Sequence, residues 1–467
     1  MTRPSVVWVT LESTRADHTS LNGYRRDTTP NLRRIAASSA GRSFASCFSH
    51  GIWTPASSAS ILTATYPTTH DVGMESDVVP DALPTVPEAF RELGYHTACL
   101  STNFHLSAAT GLDRGFDEFA WLSRDTLLDV AGLRTLLKYA ANLRRHSAGL
   151  TTDTKKHSTG YVVTDVLERW SRRLAARSEP FFLYAHYGDP HHPYYPPLAR
   201  HDTYLDEVPA TVDEAREAAL YHHDNLHRLM AEGVPLTARQ WALIHAMYDA
   251  EIAYTDALVG RLFEFVRTRV DDLVFVVTAD HGELFGEGGM LAHNLVVADA
   301  VAHVPLVVHG HAGLVDHPGE LVQHADVVQT LLRSLGHDFE GGQGLDLETT
   351  TRDWALVQRG AKRAERTLAA LQSLNPGFDA DRYHRGTLHA LRADGYKYLQ
   401  SDDGAELYRL PDETTDVADD APAVVTSMRD RLRDQLARVG RPVSSARRTG
   451  QYTAAMRAQL ADLGYLE

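Results

Sequence analysis

The sequence predicts an α/β enzyme fold, a mostly parallel sheet with helices on both faces, followed by a small C-terminal α+β subdomain. Two apolar runs without alternation, Ser5-Val6-Val7-Trp8-Val9-Thr10-Leu11 and Leu273-Val274-Phe275-Val276-Val277-Thr278, have the pattern of strands buried on both faces. Strand and helix patterns alternate between them, as crossover helices between parallel strands require. Each run also delivers an acid at its carboxyl end, Glu12 after the first and Asp280-His281-Gly282-Glu283 after the second. Ligands of open α/β sheets bind at that edge.

In chain order, residues 87–93 have helical spacing and 96–100 read as a strand. Residues 161–176 are helical and lead into the apolar strand Phe181-Phe182-Leu183-Tyr184-Ala185. A long amphipathic helix is expected over 242–266, a strand at Val304-Pro305-Leu306-Val307-Val308, and a helix over 327–335. Two stretches interrupt the alternation, about 124–157 and 201–235. The first contains helical spacing over 127–145 with Arg134, Lys138, Arg144 and Arg145 interspersed, the pattern of a surface helix, a lid or an interfacial helix. The second is polar and His-rich and reads as a loop and helix insertion. The pattern changes after Asp346, so the domains expected are 1–346, catalytic, and 347–467, C-terminal. In the latter, 387–400 and 405–410 read as antiparallel strands, 423–436 as a charged helix, and Leu463-Gly464-Tyr465-Leu466 as a tail.

Composition narrows the function. The 467 residues, 43% hydrophobic and 23% charged, suit a globular enzyme with a large core. A net charge of −15 argues against nucleic acid as a partner. Two cysteines, Cys47 and Cys99, imply neither a disulfide framework nor a thiolate metal site. No apolar stretch approaches the roughly 18 to 20 residues of a membrane span. The first strand comes too early, and Glu12 cuts it too short, for a signal-peptide core, so a cytoplasmic location is expected. Oligomeric state is not legible.

Glu12 and Asp280 taken singly read as ordinary loop acids; presented together at two strand ends, with His281, they read as a divalent-metal site. A nucleophile that touches such a cation is activated by it. The candidate is Thr54, placed as an N-cap with Pro55 at the first helical position of Thr54-Pro55-Ala56-Ser57-Ser58-Ala59. A hydroxyl there either caps the helix or attacks an oxyanion centre held at the helix N-terminus. His186, Asp189 and His191 lie just past a buried strand, as surface residues or as substrate contacts. His191 then either hydrogen-bonds a substrate oxygen or protonates the leaving group. Arg15 either neutralises a bound anion or pairs with a nearby acid.

These segments, in this order, resemble the sulfatase branch of the alkaline-phosphatase superfamily over most of the chain. Val9-Thr10-Leu11-Glu12-Ser13-Thr14-Arg15-Ala16-Asp17-His18 is similar to the first metal motif, and Leu62-Thr63-Ala64-Thr65-Tyr66-Pro67 to the end of the nucleophile motif. The segment from Phe181 to His191 resembles the substrate-side histidine motif, and Asp280 to Glu283 with His293 the second metal motif. Gly395-Tyr396-Lys397-Tyr398 and Glu406-Leu407-Tyr408 resemble the C-terminal subdomain. The resemblance implies an alkaline-phosphatase-like α/β/α sandwich and makes His186, His191 and His293 substrate-binding, with His191 and His293 also counted among the catalytic residues beside Thr54.

The chain departs from the family where the chemistry is set. Typical members carry Cys-x-Pro-Ser-Arg or its Ser version, whose first residue becomes formylglycine. Here Thr54 holds that position and Ser58 the arginine position. Threonine cannot become formylglycine by that route, so none is expected. Glu12 replaces the usual aspartates. A Glu, Thr, Asp, His set is similar to that of lipoteichoic acid synthases and phosphoethanolamine transferases, which use one Mn²⁺ or Zn²⁺ and a threonine that is covalently modified. The expectation is therefore one divalent ion, Mn²⁺, Ca²⁺, Mg²⁺ or Zn²⁺, held by Glu12, Thr54, Asp280 and His281. The substrate expected is a small-molecule or glycan sulfate or phosphate ester. The alternative is a non-catalytic member that binds an anionic glycan.

Overall fold

The computed structural model describes residues 3–151, 153–317, 319–444 and 446–462; the Leu463–Leu466 tail lies outside them. Its main sheet contains eight strands: β1 (Ser5–Leu11), β2 (Gly41–Phe48), β3 (His96–Ser101), β4 (Glu118–Trp121), β5 (Phe181–Tyr187), β6 (Leu273–Ala279), and, beyond the short hairpin of β7 (Leu284–Phe285) and β8 (Leu291–Ala292), β9 (His303–His309) and β10 (Val322–Gln323). The spatial order is β10-β2-β9-β6-β1-β5-β3-β4. Only β9 runs against its neighbours, β2 and β6; the other pairings of this sheet are parallel. The α/β fold is the one expected, and each apolar run named above lies within a strand.

Register explains why the site forms where it does. Leu11 pairs with Tyr187 of β5 on one side and with Ala279 of β6 on the other, so three central strands end level. Glu12, Gly188 and Asp280 therefore emerge side by side. All seven residues of β1, β5 and β6 are buried, as helices on both faces demand. Val7, Val9, Leu183 and Phe275 sit in one core cluster, and each fully buried side chain of this kind contributes about 1.5–3 kcal/mol.

The anticipated helices differ from the sequence pattern mainly at their ends, whereas the helix Ala361–Leu374 was not anticipated. The long helix spans Ala238–Arg267 and starts at a Thr237/Gln240 capping box, four residues before the apolar periodicity begins. The 127–145 stretch forms Leu127–Ala141, broken at Gly132 with φ 73°, and Leu143–His146. The His-rich stretch folds into Val212–Asp224 and Leu226–Ala231. Among the described residues no helix is long and apolar enough to cross a membrane.

The C-terminal sheet is a four-stranded antiparallel meander of β11 (Trp354–Arg359), β12 (Leu388–Ala393), β13 (Tyr396–Ser401) and β14 (Gly404–Arg409). The strand pattern over 387–400 is thus two strands. They turn at Asp394 (φ 54°) and Gly395 (φ 77°), the two left-handed residues that suit the twist of a tight hairpin. β2, β4, β11 and the two-residue strands β7, β8 and β10 were not anticipated. β2 reads Gly-Arg-Ser-Phe-Ala-Ser-Cys-Phe, with too few apolar residues to signal a strand, and pairing with β9 decides it.

A buried ion pair ties the last helix of the catalytic layers to β11. Arg352 Nε lies 2.6 Å from Asp326 Oδ2 and its Nη2 2.5 Å from Oδ1, with both side chains fully buried and the guanidinium 4.2 Å over the Trp354 ring. Arg352→Leu strands Asp326 as a buried charge and is expected to cost about 3–5 kcal/mol. Urea unfolding of the two proteins checks this.

Candidate functional site

Backbone geometry at the end of β1 is strained in a useful direction. Ser13 has φ 54°, an unusual conformation for a residue other than glycine. It aims the Ser13 N–H at Asp280 Oδ1, 3.1 Å away. Tyr248 on the long helix holds the turn, donating to Ser13 O at 2.7 Å and accepting from Arg15 N–H at 3.0 Å. After β6, Gly282 must be glycine, because a Cβ there would lie 2.1 Å from Ala300 O.

Four side chains from three segments meet at this edge. Thr54 Oγ1 donates toward Glu12 Oε1 at 3.2 Å and lies 3.2 Å from His281 Nε2. His281 Nε2 is 3.5 Å from Asp280 Oδ2. All four residues are buried. His281 Nδ1–H donates to Gly282 O at 2.8 Å, which turns the Nε2 lone pair toward Thr54. Asp280 Oδ1 accepts from the Ser13 and His281 N–H groups, whereas the equally buried Oδ2 has no hydrogen-bond partner among the described residues. A buried carboxylate oxygen left this way, beside a second carboxylate and an imidazole lone pair, is an unfavourable arrangement without a cation. This donor set fits a divalent ion.

His186 lies against the two carboxylates. Its Nε2 is 3.4 Å from Glu12 Oε2 and 4.0 Å from Asp280 Oδ2, at the β5 position paired with Thr10. Burial opposes its charge, but Glu12 and Asp280 outweigh that and raise it above the ordinary histidine value. Burial likewise pushes Glu12 up, while the pairing His186 and the nearby His191 and His281 hold it down at about 2.

His191 and His293 lie together, ring centroids 5.4 Å apart, with His293 4.6 Å from His281. His191 Nδ1–H donates to His192 O at 2.7 Å, and His293 Nδ1 meets Glu283 Oε1 at 3.3 Å. Burial lowers His191, and lowers His192 and His293 well below the ordinary value. A cavity of about 650 Å³ opens beside them, lined by Trp53, His105, His192, His293, Lys362 and Arg363, among others. Arg363 stacks 4.2 Å over Trp53.

Several readings change in detail. Thr54 is the first residue of the helix Thr54–Thr63 and Trp53 is its N-cap, so the hydroxyl faces the carboxylates instead of capping. Arg15 pairs with Asp17 and Glu287, both at 2.7 Å, and is not held for an anion. Asp189 accepts from Gly160 N–H at 2.8 Å and Ser158 Oγ at 3.1 Å, a structural anchor. Asn103 was missed: its Nδ2 donates to Glu12 Oε1 at 2.6 Å. It follows the carboxyl end of β3, so the rule that exposed Glu12 and Asp280 applied to it as well.

With this geometry in view, comparison with known proteins defines the class. The sulfatase family model matches residues 4–337. The chain belongs to the sulfatase family, whose members are ester hydrolases. Among its relatives, the uncharacterized sulfatase YidJ of Escherichia coli (strain K12) is 25% identical over 354 residues, spanning 71% of this chain and 68% of that one. An arylsulfatase of Clostridium perfringens is 24% identical over 368 residues, 71% of this chain and 74% of that one. Of the solved structures, the phosphonate monoester hydrolase of Agrobacterium radiobacter superposes with TM-score 0.71 at 22% identity, covering 94% of this chain and 96% of that one.

Proposed function

We propose that the chain cleaves or transfers an anionic ester group with Thr54 as nucleophile, and that phosphate-type esters are turned over faster than sulfate esters. The observation that carries this is Thr54 Oγ1 set between Glu12 Oε1 and His281 Nε2 at the start of a buried helix. Glu12, Thr54, Asp280 and His281 would hold one divalent ion, which supplies charge neutralisation and a lowered hydroxyl pKa at Thr54. Oxygen donors with one imidazole suit Mn²⁺, Ca²⁺, Mg²⁺ and Zn²⁺ alike. Asn103 and the Ser13 N–H orient the two carboxylates. His186 acts there as a countercharge to Glu12. The Thr54 hydroxyl gives up its proton and its oxygen bonds to phosphorus or sulfur as the bond to the leaving oxygen breaks, the departing alkoxide takes up a proton, and the positive end of the helix Thr54–Thr63 offsets charge on the equatorial oxygens. His191 and His293 face the substrate side.

The preference for phosphorus rests on how Thr54 is freed. A formylglycine hydrate expels sulfate by elimination from its hemiacetal; a threonine ester has no such route. Release needs a second displacement at the same central atom, by water or an alcohol, a step familiar at phosphorus. Matched p-nitrophenyl phosphate, phosphodiester and sulfate, assayed with several divalent metals, test it. Phosphate or phosphodiester turnover is expected to exceed sulfate turnover. A sulfate rate above both, and lost in Thr54→Ala, overturns this preference.

A further inference from the structure

We infer that the outward face of residues 127–150 is a docking surface for an anionic lipid bilayer, engaged peripherally. The segment follows β4, the edge strand of the main sheet, and forms the helices Leu127–Ala141 and Leu143–His146. Its apolar residues serve two sides. Leu127, Val130, Leu136 and Tyr139 pack against the core, and Ala131 is buried in it. Leu128, Leu133 and Leu137 are instead 59%, 66% and 61% exposed, and Leu150 is 96% exposed. Four of the seven large apolar side chains that are exposed among the described residues thus lie in this one segment. A lone exposed leucine is ordinary, whereas such a concentration marks an interaction surface.

Helix geometry separates the two sides. At about 100° per residue after the break at Gly132, Leu133, Leu137, Ala140 and Ala141 fall on one arc, and Thr135, Leu136 and Tyr139 on the opposite one. The first four are exposed, and the other three are buried or half-buried. The inner arc is fixed to the helix Gly160–Leu174. Thr135 Oγ1 donates to Asp165 Oδ2 at 2.7 Å, and Lys138 Nζ lies 2.6 Å from Asp165 Oδ1. Arg169 donates to Ala131 O at 2.7 Å and Val130 O at 2.6 Å, which secures the turn that Gly132 breaks. The leucines on the outer arc are therefore held outward by contacts on the inner one.

Charge selects the occupant. Residues 124–157 hold seven Arg or Lys against three Asp, a net +4 within a chain of net −15. Lys138, Lys155 and Lys156 pair with Asp165, Asp224 and Asp153. Arg134, Arg144 and Arg145 are exposed and form no ion pair among the described residues. Leucines flanked by such arginines match an anionic bilayer, where the apolar side chains reach the acyl boundary and the guanidinium groups meet headgroup phosphates. The acidic remainder of the chain is repelled by the same surface, so the field turns this face toward it. A second copy fits less well, because a two-fold contact on this face sets the arginines against one another. The surface stands independently of the proposed Thr54 chemistry, since it shares no residue with it.

The test is flotation of the full chain with vesicles of phosphatidylglycerol mixed with phosphatidylcholine, and of phosphatidylcholine alone, at low and high salt. Wild type is expected to float with the anionic vesicles, less so at high salt, and to stay largely free of the neutral ones. Arg134→Gln, Arg144→Gln and Arg145→Gln together should weaken binding about 100-fold, roughly fivefold per arginine, and remove most of the salt dependence. Leu133→Gln with Leu137→Gln should also release the protein, with unchanged circular dichroism because both side chains are exposed. An environment-sensitive dye on Leu137→Cys should shift to the blue on binding. No flotation of wild type, or flotation indifferent to both sets of variants, overturns the assignment. So does a dimer in sedimentation that Leu133→Gln with Leu137→Gln dissociates, which gives this face to a second copy. None of these readouts uses turnover, so failure here and failure of the Thr54 reading are separate results.

Discussion

Thr54→Ala is expected to abolish turnover while the protein stays folded. The hydroxyl removed is the proposed nucleophile, and loss of a residue of that role lowers kcat by roughly 10⁴-fold or more. Its structural cost is small. Thr54 opens its helix without capping it, alanine is a good helix former, and the hydrogen bond surrendered to Glu12 contributes about 1 kcal/mol. Thr54→Ser keeps an oxygen at the same place and should recover part of the rate. Steady-state kinetics beside circular dichroism decide the matter. Residual activity within about tenfold of wild type, with unchanged dichroism, would falsify the nucleophile role.

Asp280→Asn and Glu12→Gln should each remove most of the ion held at the Thr54 centre, and activity with it. Each deletes an anionic donor, so the affinity loss should exceed the roughly 10–100-fold that follows removal of a group hydrogen-bonded to a ligand. Asp280→Asn carries a further signature. Asp280 Oδ2 is buried without a hydrogen-bond partner among the described residues, so the metal-free wild type bears a buried charge, offset only in part by His186 4.0 Å away, that the amide lacks. A chelator should therefore lower the melting temperature of wild type and barely move that of Asp280→Asn, since an ion that binds only the folded state stabilises it by mass action. Elemental analysis and thermal scans with and without chelator read both effects. Wild-type metal content in the two variants would remove these carboxylates from the ligand set.

How much of this was legible follows from what each signal measures. Burial on both faces is written in composition, so β1, β5, β6 and β9 appear as uninterrupted apolar runs, and the long helix appears as a period. β2 has no such signature, because its partner β9 and not its own residues makes it a strand. Asn103 was within reach of the strand-end rule. His192 was not, since its neighbours His223 and His293 come from distant helix and loop segments.

Local sequence by itself determined the strand ends, the acids that follow them and the hydroxyl at a helix start, because these depend on side-chain pattern over a few residues. Tertiary structure decided which of these groups face one another. Level register of β5, β1 and β6 placed Glu12 beside Asp280, and the helix Thr54–Thr63 carried Thr54 between Glu12 and His281. The pairing of β5 with β1 put His186 against the carboxylates. Contacts between segments more than 200 residues apart depend on packing of the whole sheet, which no local pattern encodes.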